Sequence, residues 1–249
     1  MRKKLILSAL SLLAACMLQA QQLSNMGFDT WSKQGGVWYP YAKDAPASQR
    51  VWDSANKGLS ALGVNTTVPE YEHVVTPGKA AAKVQSRKVL WAFVAGNLFT
   101  GRFIKVVDLS GAEMDFGVPF SGRPKTLSGY YHYLPKAINF AQDPYKHLKG
   151  RPDIGRIEVI LTDWTEPQHV VTTEQPFLDA EKNPHVIGRA VLDLDKATDD
   201  YVSFEIPIEY RNGKTPGYAF IFVTPSRYGA YFTGGSGSTV YVDGFRFND

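Results

Sequence analysis

Val202-Ser203-Phe204-Glu205-Ile206-Pro207-Ile208-Glu209 places an apolar side chain at every second position. A period of two puts the four apolar groups on one face of an extended chain and the polar ones on the other, the pattern of a half-buried strand. Pro207 cannot donate to a ladder, so this strand is expected at a sheet edge or a bulge. Ile157, Val159 and Leu161 alternate in the same way. Segments 89–95, 103–107, 127–133, 187–194, 218–223 and 239–247 are short, rich in β-branched or aromatic residues, and bounded by Gly, Pro, Asn or Asp. No segment carries a sustained helical stripe, and a turn near 55–62 is the best helix candidate. Roughly a dozen short strands with turn residues between them predict one all-β domain, a two-sheet jelly-roll β-sandwich. The Asn212-Gly213 pair marks a tight turn, and 166–184 reads as a long surface loop.

The first residues are set apart from this domain. Arg2, Lys3 and Lys4 precede an apolar or small run from Leu5 to Ala15 that is too short to span a bilayer and reads as a secretory signal. Cleavage after Ala20 would leave a single domain from Gln21 to Asp249. Alternatively, Leu13-Ala14-Ala15-Cys16 matches a lipobox and would make Cys16 an acylated anchor. Either way, an exported protein is expected. The chain has 27 basic and 24 acidic residues, and three of the basic ones lie in the first 20 residues, so 24 of each remain beyond them. That balance leaves no basic stripe and argues against a nucleic-acid partner. No later apolar run is long enough for a transmembrane span. Cys16 is the only cysteine, so the domain is expected to hold no intramolecular disulfide and no cysteine-based metal site.

Motifs for catalysis are sparse. The five histidines show no metal-ligand spacing. Gly213-Lys214-Thr215 lacks the glycine of a phosphate loop, Ile208 standing in its place. Gly234-Gly235-Ser236-Gly237-Ser238 lacks the last glycine of a nucleophile elbow and reads as a flexible loop. Asp163 and Glu166, beside Trp164, could supply one of the two carboxylates of a glycosidase, or simply form a solvated strand end.

The aromatic content, 13% of the chain, is more informative. Trp91 lies in the apolar run 89–95 and reads as core. Trp38 and Tyr39 lie in Gly35-Gly36-Val37-Trp38-Tyr39-Pro40, and Trp52 opens Trp52-Asp53-Ser54-Ala55-Asn56. In such polar, turn-like segments a flat ring either caps the open end of a sandwich or offers its face to a pyranose, which has an apolar C–H face and a rim of hydroxyls. On the second reading Trp38, Tyr39 and Trp52 form an exposed sugar platform, with Asp53, Asn56 and Arg123 supplying polar contacts.

These segments belong to an ordered set. Asn25-Met26-Gly27-Phe28-Asp29-Thr30-Trp31 and the Trp52 segment are followed by Ala95-Gly96-Asn97-Leu98-Phe99-Thr100-Gly101 and Arg123-Pro124. Gly129-Tyr130-Tyr131-His132-Tyr133 and Gly237-Ser238-Thr239-Val240-Tyr241-Val242-Asp243 complete it. The set resembles the putative carbohydrate metabolism domain of glycan-using Gram-negative bacteria. The resemblance implies a jelly roll similar to carbohydrate-binding modules and galactose-binding-like domains, and the signal segment predicts a place at the cell surface, the outer membrane or in the periplasm. It also implies that Asp29 and Asp243 share a structural calcium, the remaining ligands being backbone carbonyls. Two carboxylates hydrogen-bonded to loop amides are the alternative. The function expected is non-catalytic binding of a carbohydrate ligand. Its rivals are a glycoside hydrolase with an unplaced acidic pair and a structural subunit of an outer-membrane assembly.

Overall fold

The computed structural model describes residues 20–75, 77–108, 111–174 and 178–249. The signal segment and Cys16 therefore lie outside the described residues. Two antiparallel sheets face each other. The larger has nine strands, its main path running Gln168–Val171, Gly111–Phe116, Leu98–Val107, Tyr218–Thr224, Gly155–Thr162, Val186–Leu194 and Glu209–Tyr210. The smaller has five, in the order Val202–Pro207, Thr126–Leu134, Thr239–Asn248, Ala81–Gln85 and Thr67–Glu70. This is the jelly-roll β-sandwich read from the alternation, and the strand ending in Pro207 lies at a sheet edge.

Period-two patterning explains the core. Ile157, Val159 and Leu161 point between the sheets and meet Val240, Val242 and Phe247 from the opposite layer. Ile160, on the other face of its strand, joins Phe99, Phe103, Phe116 and Phe220 in a second cluster on the outer side of the large sheet. Gln168–Val171 pairs with Gly111–Phe116 beside that cluster, so part of 166–184 is strand rather than loop. Ala55–Leu62 forms a 3-10 helix whose N-cap, Ser54, accepts from the Asn56 amide.

Two expectations are overturned at one end of the sandwich. The run 89–95 is not one strand. Arg87–Val89 and Ala92–Val94 pair as a hairpin, with Leu90 and Trp91 forming its two-residue turn. Trp91 is consequently 82% exposed rather than core. Apolar character alone does not tell a buried strand from a hairpin tip, because both are runs of large side chains. Gly234–Ser238, expected as a flexible loop, is packed. A Cβ on Gly234 would lie 2.4 Å from the Phe93 ring, so only glycine allows this approach.

Candidate functional site

The residues expected to form a sugar platform do not share a surface. Trp52 and Asp53 form a two-residue strand against Thr100 and Phe99 of the large sheet. The Trp52 ring enters the core, 0% exposed, at 5.0 Å and 62° to Phe28, and its Nε1 donates to the Ser24 carbonyl at 3.0 Å. Asn56 is buried as well. Its Oδ1 accepts from the Thr66 and Thr67 amides, and its Nδ2 donates to the Trp38 and Thr67 carbonyls. A side chain with all these bonds made holds two strands together and has little left for a ligand. Arg123 stacks on Tyr210 at 4.0 Å and donates to the Asn212 and Lys214 carbonyls. Trp38 and Tyr39 are half-buried, with Lys33 over the Trp38 ring and Tyr41 5.3 Å from Tyr39. A strand of two residues is too short to show a period, which is why Trp52 resembles a turn in sequence.

Asp53 is buried with Trp52. Its oxygens accept from the Ser54 and Phe103 amides at 2.8 and 2.9 Å, and burial pushes its pKa up to about 6. In the unfolded chain the group ionises near the ordinary 3.8. Between those values the folded state keeps a proton that the unfolded state has released, so stability falls as pH rises from about 4 to about 6. The loss should approach about 3 kcal/mol in all. Denaturant melts of wild type and Asp53→Asn across that range check this. The wild-type curve should carry a decline that the variant lacks.

Asp29 and Asp243 do come together. The Lys79 and Ala80 amides donate to Asp29 Oδ1, while those of Val75 and Gly244 donate to Asp243. A Cβ on Gly78 would lie within 3.6 Å of the Val75 carbonyl, Asp29 Oδ1 and Asp243 Oδ2, so these three oxygens crowd around Gly78. Burial, with the nearby Asp29 charge adding to it, raises the Asp243 pKa. No group of three or more His, Cys, Asp or Glu side chains suited to a metal occurs among the described residues, so any cation here would need carbonyl and water oxygens.

The surface that does offer aromatic faces is the hairpin end. Trp91, Ala92, Phe93, Phe140, Gln142 and Phe232 line an open cleft of about 220 Å³. Phe93 and Phe140, 5.6 Å apart and tilted by 30°, form its floor. Trp91 and Phe232 stand at its sides, both exposed. Leu90 holds the turn at φ +54°, a conformation that costs a non-glycine residue on the order of 1 kcal/mol. Alongside, Tyr145 stacks on Tyr228 at 4.3 Å and meets Tyr231 edge-on at 5.0 Å.

A buried carboxylate ties these segments together. Asp153 is 0% exposed, and its Oδ2 accepts from Ser226 Oγ at 2.6 Å and the Gly235 amide at 2.7 Å. Ser226 Oγ also meets Ser86 Oγ at 2.7 Å, at the foot of the hairpin. Phe140 and Gly234 exchange backbone hydrogen bonds, and the Gln142 amide donates to Thr233. The cleft walls therefore stand on a common buried network, the kind of support that holds a binding surface in place.

A larger groove of about 410 Å³ runs between edge strands past Arg189, Pro207, Glu209, Tyr210 and Arg211. Its cations are already engaged. Arg189 pairs with Glu158 at 2.8 Å, Arg211 donates to the Ala180 and Asn183 carbonyls, and Arg123 covers the Tyr210 ring. The carboxylate suggested for hydrolysis is also engaged. Asp163 accepts from His185 and Lys214, and those bonds hold its pKa below the usual carboxylate range, the wrong direction for a general acid.

A family model described as a putative carbohydrate metabolism domain matches residues 27–248. Among solved structures, a putative glycoside hydrolase from Bacteroides thetaiotaomicron aligns with a TM-score of 0.67 at 21% identity, covering 92% of this chain and 71% of that one. A putative glycoside hydrolase from Bacteroides vulgatus aligns at 0.63 and 21%, covering 88% of this chain and 94% of that one. A carbohydrate-binding module specific for non-crystalline cellulose aligns at 0.37 and 14%, over 83% and 90%. No curated protein matches the chain.

Proposed function

Because the chain belongs to the putative carbohydrate metabolism domain family, we propose that it is a non-catalytic glycan-binding protein whose sugar site is the Trp91 cleft. The exposure of Trp91 at a strained hairpin tip, beside a floor of paired rings, carries this reading. Large apolar groups gathered on the surface mark interaction sites, and aromatic faces complement the C–H face of a pyranose. Gln142 adds an amide that can donate to and accept from hydroxyls.

The buried acidic groups, and the one beside the cleft, support binding over hydrolysis. A glycosidase needs two carboxylates across the scissile bond, one of them held protonated. Asp53, Asp153 and Asp243 have raised pKa values, but each is buried and bonded to backbone amides. Near the cleft, Asp143 is paired with Lys146 at 2.6 Å. The test is an array of immobilised glycans, followed by incubation with each glycan that binds. Retention without product release is expected. Release of shorter sugars would show a hydrolase, and no retention on any glycan would leave the structural-subunit reading.

The proposal extends to calcium and to export. Asp29, Asp243 and the Val75 carbonyl would hold the ion, which would neutralise two crowded carboxylates. Calcium should then raise the melting temperature of the wild type above its value in chelator, since a metal bound by the folded state alone stabilises it. Asp243→Asn should abolish the difference, and a wild type that melts identically in both would sink the assignment. Export to the cell surface, outer membrane or periplasm rests on the basic and apolar segments of residues 2–15. Intact mass with membrane fractionation tests it and separates a start at Gln21 from an acylated Cys16.

A further inference from the structure

The charge around the cleft is uneven in a way the whole chain is not. Beyond residue 20 basic and acidic residues balance, 27 less the three near the N-terminus against 24. Two of the three segments that build the aromatic end depart from this. The hairpin brings Arg87 and Lys88, and residues 136–152 bring Lys136, Lys146, Lys149 and Arg151. All six are exposed, and Asp143 is the exposed acid among them.

Several cations elsewhere are neutralised where they stand. Arg156 binds Asp193 at 2.7 Å, Arg189 binds Glu158 at 2.8 Å, Lys105 binds Glu113 at 3.1 Å, and Lys214 binds Asp163 at 2.5 Å. Arg227, which also belongs to the aromatic end, binds Asp193. Among the described residues no ion pair involves Arg87, Lys88, Lys136, Lys149 or Arg151. Gathering like charges on one end raises their mutual repulsion, which an anionic ligand would relieve.

Two of these cations flank the wall of the cleft. Lys88 lies directly across the hairpin from Phe93, so the two side chains leave the same face. Its amide donates to Ser236 Oγ at 2.9 Å, and the Lys136 stem runs beside Gly237, the next residue. Asn139, whose Oδ1 accepts from the Ser236 amide, stands at the same corner.

We propose that the Trp91 cleft takes an acidic glycan, the rings stacking on sugar faces while Lys88 and Lys136 meet carboxylate or sulfate groups. This rests on the glycan-binding reading above and names the class of sugar. Nucleic acid and anionic lipid share the charge, but the cleft at this end is a small aromatic one suited to one sugar face at a time.

The test uses two matched pairs of probes, oligogalacturonate against its methyl ester and a sulfated galactan oligosaccharide against its desulfated form. At least one acidic probe should bind about tenfold more tightly than its neutral partner. That advantage should shrink as the screening length falls from about 10 Å at 0.1 M salt to about 3 Å at 1 M. The pair that shows it tells carboxylate from sulfate. Lys88→Gln with Lys136→Gln should weaken the acidic probe roughly fivefold and leave the neutral one unchanged, whereas Trp91→Ala should weaken both. Equal binding of acidic and neutral probes, untouched by the lysine changes, would overturn the acidic ligand and leave the glycan site standing. Binding of the acidic probe that ignores Trp91→Ala, or that DNA and anionic vesicles match, would mean charge alone and overturn both.

Discussion

Trp91→Ala should lower affinity for the bound glycan more than tenfold while leaving the melting temperature almost unchanged. The two halves of this expectation have different causes. With 82% of its surface already in water, the Trp91 side chain gives the folded state little buried area to lose. Exposed positions away from buried networks usually change stability by no more than about 0.5 kcal/mol. In the complex the same ring becomes a covered anchor, and truncating such an anchor costs on the order of 2 kcal/mol, where about 1.4 kcal/mol is a factor of ten. Calorimetric titration against a glycan retained on the array measures the first half, and a thermal melt the second. Wild-type affinity in the variant would move the site away from the hairpin. A melting temperature lowered by many degrees would mean that Trp91 is part of the core after all.

Trp52→Ala should do the reverse. The ring is fully enclosed, packed edge-on against Phe28 at 5.0 Å and Phe245 at 6.3 Å, and its Nε1 satisfies the Ser24 carbonyl. Removing a buried tryptophan typically costs about 3–5 kcal/mol, because lost transfer energy adds to the cavity left behind. For a domain of this size that is a fall in melting temperature of roughly 6–20 °C. Trp52→Phe keeps most of the volume and loses the indole donor, so it should fall between wild type and alanine. Where the variant is folded, its glycan affinity should match the wild type. A Trp52→Ala protein that melts normally but binds no sugar would restore the surface role suggested by its sequence context.

Between them the two tryptophans show what can be read from local sequence. Trp91 has apolar neighbours and is exposed, while Trp52 opens a polar stretch and is buried. A side chain's exposure depends on which strand lies across from it, and neither residue's neighbours in the chain state that. The Leu90-Trp91 turn also lacks the Gly or Asn that usually marks a two-residue hairpin, so nothing in its composition announced it. Asn56 was legible as a polar residue in an important place, but whether its bonds go to a ligand or to Thr66 and Thr67 depends on a strand ten residues away.

The sequence by itself determined the fold class. Alternation with period two at 157–161 and 204–208 fixes which side chains face inward, because a strand has only two faces, and enough such strands must close into two layers. It also brought out Asp29 and Asp243 as a pair, through the resemblance that their flanking motifs carry. Only the tertiary structure decided the candidate site. Trp91, Phe140, Gln142 and Phe232 come from three separate stretches, and no periodicity links them. They meet because Asp153, Ser226 and Ser86 satisfy one another in the interior and fix the three segments at one end. The excess of positive charge there is equally a product of folding. The chain's basic and acidic residues balance in number, and only their placement in space sets Lys88 and Lys136 beside one aromatic cleft.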